Sequence, residues 1–237
     1  MCVLLTLCSC KSNTTNSERS EREEVSSTTV SEQTYDDFNY KVENNGIIIT
    51  RFLNDSENVI IPSEINNKSV KSMGKDSFYQ RTEMKSIFIP DSVVSIEENA
   101  FYRCYSLEKM EISKYVQQIG SNPFFRCTAL TQITVDPENQ NFSEKDGVLF
   151  NKDKTTLLVY PEGKADDVYY IPVSVKTIAA DAFGYSCNFT LLYIGENVDE
   201  FPDHNIIVNN PETTLVVKAG STAEQYAKEY QIKYNFN

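Results

Sequence analysis

Apolar and polar positions repeat every 23 residues between Met84 and Val135. Met84-x-x-Ile87-x-Ile89 returns as Leu107-x-x-Met110-x-Ile112 and again as Leu130-x-x-Ile133-x-Val135. Val93 and Ile96 return as Val116 and Ile119, and Phe101, Cys104 and Leu107 return as Phe124, Cys127 and Leu130. The end of each unit alternates at period two, the pattern of a strand with one face buried. A unit this short cannot bury its apolar side alone. Copies must stack, so the pattern predicts a solenoid to which each coil contributes one short strand.

Toward the N-terminus, Phe38-x-Tyr40-x-Val42, then Asn44-Asn45-Gly46, then Ile47-Ile48-Ile49 predict a hairpin, because Asn and Gly tolerate the left-handed turn that two tightly joined strands require. Its place predicts an N-terminal cap. Val59-Ile60-Ile61-Pro62 opens a first coil carrying Val70, Met73, Phe78 and Met84 in register, with a longer, outward turn from Ser63 to Ser69.

After Val135 the period breaks for an insertion, residues 136–167. Gly147 to Phe150, Asn151 to Lys154 and Thr156 to Tyr160 predict a hairpin there, and insertions in solenoids map to loops on one face. The repeat resumes at Tyr169-Tyr170-Ile171-Pro172 and runs through Val175, Ile178, Ala182-Phe183, Cys187, Leu192, Ile194, Val198 and Phe201. Leu215-Val216-Val217 predicts a last strand. Ser221-Thr222-Ala223-Glu224 is a capping box that opens a helix over 222–230, before a closing Ile232-x-Tyr234-x-Phe236. Caps therefore cover both ends.

The first 34 residues have a different composition. Residues 1–10, MCVLLTLCSC, are apolar but too short to span a bilayer. Residues 11–34 are rich in Ser, Thr, Asn and Glu, bury too little to offset ordering, and predict a disordered tether with a reach of roughly 25–30 Å. Residues 35–237 form the repeat domain with its caps. Net charge is −12, from 22 basic and 34 acidic residues, which argues against nucleic acid as a partner.

Candidate chemistry is sparse. The one histidine, His204, lies beside Asp203 where the repeat decays, which predicts a surface loop and leaves no assembled Ser-His-Asp arrangement; no catalytic residue, cofactor or metal ligand is assigned. Asp136-Pro137-Glu138, Asp153 and Asp166-Asp167 lack calcium-loop spacing and predict solvated turns. Cys104 and Cys127 should stack about 5 Å apart with parallel Cβ vectors, too wide for a bridge, so both predict small buried hydrophobes, with Cys187 farther along the column. The Asn-x-Ser/Thr sequons at Asn13, Asn54, Asn67, Asn141 and Asn188 matter only in a eukaryotic secretory pathway. Alternation places Ile60, Phe88, Glu111, Thr134, Tyr170, Tyr193 and Val216 outward on the strands. Two readings stand for these: aromatic residues are enriched at interfaces, and they also simply favour strands.

The repeat is similar to the BspA-like leucine-rich repeats of bacterial surface proteins. Ile89-Pro90, Val93 with Ile96, and Ala100-Phe101 with Cys104 and Leu107 carry the likeness, and so do Ile171-Pro172, Val175 with Ile178, and Ala182-Phe183 with Cys187. The third coil departs, with Pro123 for alanine and Ser113 for proline. Leu7-Cys8-Ser9-Cys10 likewise resembles a bacterial lipobox, with Cys10 the lipid acceptor; the missing basic n-region implies a start inside a longer signal. The fold implied is an α/β-type solenoid, a BspA-like leucine-rich repeat with coils of about 23 residues, a hairpin cap, a hairpin insertion and a short helix cap. The function implied is a non-enzymatic, surface-anchored binding module that recognises a protein or glycan on a host or neighbouring cell and touches membrane only through its lipid. A structural spacer or envelope scaffold is the alternative.

Overall fold

The computed structural model describes residues 32–184, 188–207 and 210–237. The cap is a meander of β1 (Gln33–Tyr35), β2 (Phe38–Glu43) and β3 (Gly46–Phe52), all antiparallel. Asn44 and Asn45 turn the chain at φ 47° and 62°, as the Asn-Asn-Gly signal requires. Pairing starts at Gln33, two residues ahead of the expected boundary. The first coil opens with β4 (Asn58–Ile60) and folds a small hairpin, β5 (Glu64–Ile65) against β6 (Lys68–Met73), about Asn66 and Asn67 at φ 50° and 60°. The expectation of a wholly external turn over 63–69 is corrected here. Ile65 is fully buried, because the hairpin leans on the cap, where Asn66 Nδ2 donates to the Tyr40 hydroxyl at 2.9 Å.

The regular coils contain β7 (Ser86–Phe88), β8 (Ser95–Ile96), β9 (Lys109–Ile112), β10 (Gln118–Ile119) and β11 (Gln132–Val135). β3, β6, β8 and β10 lie side by side in parallel, β4 pairs with β7, and β9 pairs with β11 with Lys109 beside Gln132, one 23-residue period apart. The ladder continues outside the strands: the Phe78 amide donates to Ala100 O at 2.8 Å, Phe101 to Pro123 O at 2.9 Å and Arg103 to Phe125 O at 2.9 Å. Left-handed residues recur at matching places, Asp76, Asn99 and Asn122, and then Gln80, Arg103 and Arg126, so these three coils bend at the same points. Asp and Asn suit that conformation; Gln and Arg adopt it at a cost of about 1 kcal/mol each.

Stacking neighbours bury one continuous column. The ring centroids of Phe38, Phe52, Phe78, Phe101 and Phe124 follow one another at 5.1, 5.5, 5.1 and 5.6 Å, so the expected Phe101–Phe124 pair is part of a column that starts in the cap. A second, half-buried ladder of Tyr79, Tyr102 and Phe125, with spacings of 5.5 Å, escaped the sequence reading because tyrosine at a turn reads as surface.

The insertion differs from expectation. It has three strands, β12 (Phe142–Lys145), β13 (Val148–Asn151) and β14 (Thr156–Val159), and it is core: Val148, Leu149, Phe150 and Leu157 are all fully buried. β14 runs parallel to the short strand Thr177–Ile178, and Tyr160 donates its amide to Ala182 O at 2.7 Å, repeating the Phe78-to-Ala100 bond. The insertion is thus a coil with extra strands, in which Tyr160 takes the phenylalanine place. Leu149 packs in the core of the first half and Phe150 in that of the second. Where the backbone ladder breaks, buried Glu162 supplies the acceptor, its Oε1 taking the Arg126 amide at 2.7 Å. Gly184 makes this possible, since a Cβ there would lie 2.3 Å from that oxygen.

The second half holds β15 (Val168–Tyr170), β16 (Thr177–Ile178), β17 (Leu191–Tyr193) and β18 (Thr214–Val217), then α1 (Thr222–Glu229) and β19 (Tyr234–Phe236), with β15, β17, β18 and β19 parallel in that order. Ser221 caps α1, accepting from the Glu224 amide at 3.2 Å, while Glu224 Oε2 accepts from Gly220 N at 2.6 Å, one residue earlier than the expected box. Ala223, Tyr226 and Ala227 close the core. The Tyr226 hydroxyl donates to the His204 carbonyl and accepts from the Ile206 amide at 2.9 Å. The helix covers the core, and among the described residues the strand ladder ends at β19, which pairs with β18 alone.

Two outcomes follow. Phe101→Ala, in mid-column, should cost roughly 3–5 kcal/mol by urea unfolding, and Tyr102→Ala less, because that ring is only partly buried. Burial pushes the Tyr226 phenol up to about 12 from an ordinary 10, so its contribution is complete below pH 10 and lost as pH rises to about 12. Melting temperatures followed over that range should fall more steeply for the wild type than for Tyr226→Phe.

Candidate functional site

The outward strand positions fall into two sets, one before and one after the insertion, each registered strand by strand. Ile60 pairs with Phe88 across β4 and β7, Glu111 with Thr134 across β9 and β11, and Tyr170 with Tyr193 and then Val216 across β15, β17 and β18. Ile60, Phe88 and Tyr170 are 72, 60 and 63% exposed. Glu111 is exposed, and Thr134 and Tyr193 are half-buried. Val216 is a correction: at 6% exposure it is buried, flanked in register by Tyr193 on one side and Asn235 of β19 on the other. Alternation sets the direction of a side chain; it does not reveal what stands beside it.

The two sets do not form one sheet. Gly147, at φ 79° in the turn between β12 and β13, closes on β11, where its carbonyl accepts from the Ile133 amide at 3.0 Å. The face therefore divides at the insertion into an Ile60–Phe88–Glu111–Thr134 patch and a tyrosine patch. In the tyrosine patch the rings of Tyr170 and Tyr193 stack at 4.3 Å and 21°. Partial desolvation, and then the neighbouring Tyr193, hold the Tyr170 phenol above its usual value.

The first patch contains a groove of about 340 Å³, lined by Phe88, Glu111 and Thr134 and flanked by Asp91 and Asp136. It opens where no strand ladder joins β7 to β9. Phe88 and Ile60 form an apolar shelf at one end, and Glu111 follows in the next coil.

The remaining candidates take structural places. His204 is half-buried, with Nε2 3.2 Å from Asp181 Oδ1 of the preceding coil and Nδ1 3.5 Å from Asp203 Oδ1. Asp136 Oδ1 accepts from the Glu138 amide at 2.8 Å, Glu138 pairs with Lys114 at 2.7 Å, and Asp166 takes the Tyr160 hydroxyl at 2.8 Å. Among the described residues, no three His, Cys, Asp or Glu side chains converge as metal ligands. Cys104 and Cys127 are buried free thiols that donate to the carbonyls of Phe78 and Phe101, each at 3.1 Å. Burial, and then the neighbouring Cys104, push the Cys127 thiol well up. Cys10 and Cys187 lie outside the described residues, and among the described residues no helix is long and apolar enough to cross a membrane.

The geometry defines a class: a parallel solenoid whose coils repeat every 23 residues and turn short strands outward along one side. Residues 53–162 match the BspA type Leucine rich repeat region in six copies, so this stretch carries repeats of that type. Among solved structures, the Leucine Rich Repeat protein of T. pallidum is 20% identical over 86% of this chain and 98% of its own, with a TM-score of 0.50. A leucine rich cell surface protein of Faecalibacterium prausnitzii A2-165 is 16% identical over 79% of this chain and 76% of its own, with a TM-score of 0.48. The pneumococcal vaccine antigen PcpA is 18% identical over 79% of this chain and 81% of its own, with a TM-score of 0.40. No curated protein sequence matches the chain.

The thiol geometry has a chemical consequence. Treated with iodoacetamide at pH 8, the folded protein should leave Cys104 and Cys127 unmodified, and both should react once urea unfolds it; peptide mass spectrometry reads the difference.

Proposed function

We propose that the chain is a non-enzymatic binding module, anchored at a bacterial cell surface through lipid on Cys10 and lifted from it by residues 11–34, which recognises a protein or glycan of a host or neighbouring cell. The observation that carries this is the pair Ile60 and Phe88, side by side in register and 72 and 60% exposed on the strand face. Leaving two large apolar side chains in water is unfavourable, and covering them with a partner would recover about 1.5–3 kcal/mol each. Mechanism here is complementarity: the paired strands β4–β7 and β9–β11 hold the two walls of the groove in place, so a partner meets a preorganised surface and little ordering cost is incurred. The polar, acidic sequence of the tether suits a spacer beside a membrane, and Leu7-Cys8-Ser9-Cys10 supports the anchor. A spacer role is the second reading, and coverage of the aromatic face by the insertion would favour it; Phe88 and Tyr170 stand exposed.

The test has two arms. In cells expressing the full chain, palmitate label should enter the wild type and be absent from Cys10→Ala; equal label in both, or none, removes the anchor. The full chain should be retained on at least one member of a panel of immobilised extracellular proteins and glycans. Phe88→Ser should lower that retention about tenfold or more, while Val173→Ser, at an exposed position off the groove, should leave it unchanged. Retention on no member, or equal retention by Phe88→Ser, defeats the binding reading.

A further inference from the structure

We infer that the strand-face groove takes an extended, cationic segment of a partner protein, with an apolar side chain on the Ile60–Phe88 shelf and Lys or Arg side chains along Glu111, Asp91 and Asp136. The inference rests on the binding-module reading and names the partner's chemistry.

Three features of the groove carry it. Its charged lining is of one sign: Asp91, Glu111 and Asp136 line it, and no basic residue does. Several surface carboxylates are matched, Glu57 by Lys85, Glu98 by Lys75 and, at the groove's margin, Glu138 by Lys114, at 2.9, 3.0 and 2.7 Å. Asp91, Glu111 and Asp136 are in no ion pair among the described residues. Lys109 is exposed two residues before Glu111, outside the lining.

The carboxylates are also dispersed. Asp91, Glu111 and Asp136 come from three successive coils, which lie about 4.8 Å apart, and among the described residues no set of acidic groups converges as metal ligands. A row of separated anions suits a chain with several cationic groups better than one compact ion. Last, the row begins at an aromatic ring. Phe88 precedes Glu111 in the same column, so a cation at Glu111 can also lie against the ring, while an apolar neighbour covers Ile60.

The chain's own N-terminal segment does not fit. Lys11, Arg19 and Arg22 there are outnumbered by Glu18, Glu21, Glu23 and Glu24. A separate, basic partner does.

Because the whole chain is acidic, the test must separate the groove from diffuse attraction. The probe is a fluorescein-labelled hexapeptide, Leu-Lys-Ser-Lys-Ser-Lys, capped at its C-terminus, with a Glu-for-Lys peptide as its opposite; fluorescence anisotropy at 0.15 M salt reads the Kd for the full chain. Two triple variants each remove three negative charges. D91N/E111Q/D136N neutralises the groove, and D153N/E212Q/E229Q neutralises exposed positions elsewhere. The groove variant should weaken the Lys peptide at least tenfold and the control less than twofold, with Phe88→Ser also weakening it. Equal loss in both variants, equal binding of the Glu peptide, or no binding overturns the proposal. So does saturable calcium binding by calorimetry that the groove variant abolishes. Panel retention separates the two readings: if Phe88→Ser loses retention while D91N/E111Q/D136N keeps it, the cationic partner is wrong and the module reading stands. If Phe88→Ser keeps retention, the module reading itself falls.

Discussion

Everything in this molecule depends on one constraint: each coil must satisfy its backbone and bury its apolar side against the next. The ladder is not confined to the strands. It runs through the turn segments, where amides of Phe78, Gln80, Phe101 and Arg103 donate to carbonyls of the following coil. That explains the recurring left-handed bends at Asp76, Asn99 and Asn122, because only coils that bend alike can keep the turn amides in register. The columns of rings and thiols follow from the same identity of coils. Equal positions stack, so a phenylalanine meets a phenylalanine and Cys127 hydrogen-bonds the carbonyl of Phe101 beneath it.

The insertion shows how the constraint is met when the repeat fails. Its strands bring Leu149 into one core cluster and Phe150 into the other, so adjacent residues on one strand tie the two halves together. A glutamate stands in for a missing carbonyl at Arg126, and the tight approach of Gly184 makes room for it. Both devices compensate for one broken rung. An unsatisfied buried amide would cost about 1–3 kcal/mol, which is reason enough for a buried carboxylate to be placed there.

The same break shapes the outer face. Continuous pairing would give a uniform strand surface, whereas the turn at Gly147 and the missing ladder between β7 and β9 leave a shelf, a groove and a separate tyrosine patch. Irregularity in the ladder thus creates relief that coincides with several of the outward strand residues.

Period and alternation made much of this legible in the sequence. The coil length, the phenylalanine column at Phe101 and Phe124, the turn at Asn44-Asn45, the unbridged cysteines and the Ser221 cap all follow from local rules that act within one repeat. What a side chain meets from another part of the chain did not follow. Ile65, Val148 and Leu149 are buried by segments remote in sequence, Val216 is hidden by its neighbours in register, and His204 lies 3.2 Å from Asp181 of the preceding coil. The groove itself is a product of tertiary structure. Sequence determined which residues face outward, because the strand period is two; tertiary structure decided which of them remain exposed, because exposure depends on the coils and turns packed alongside.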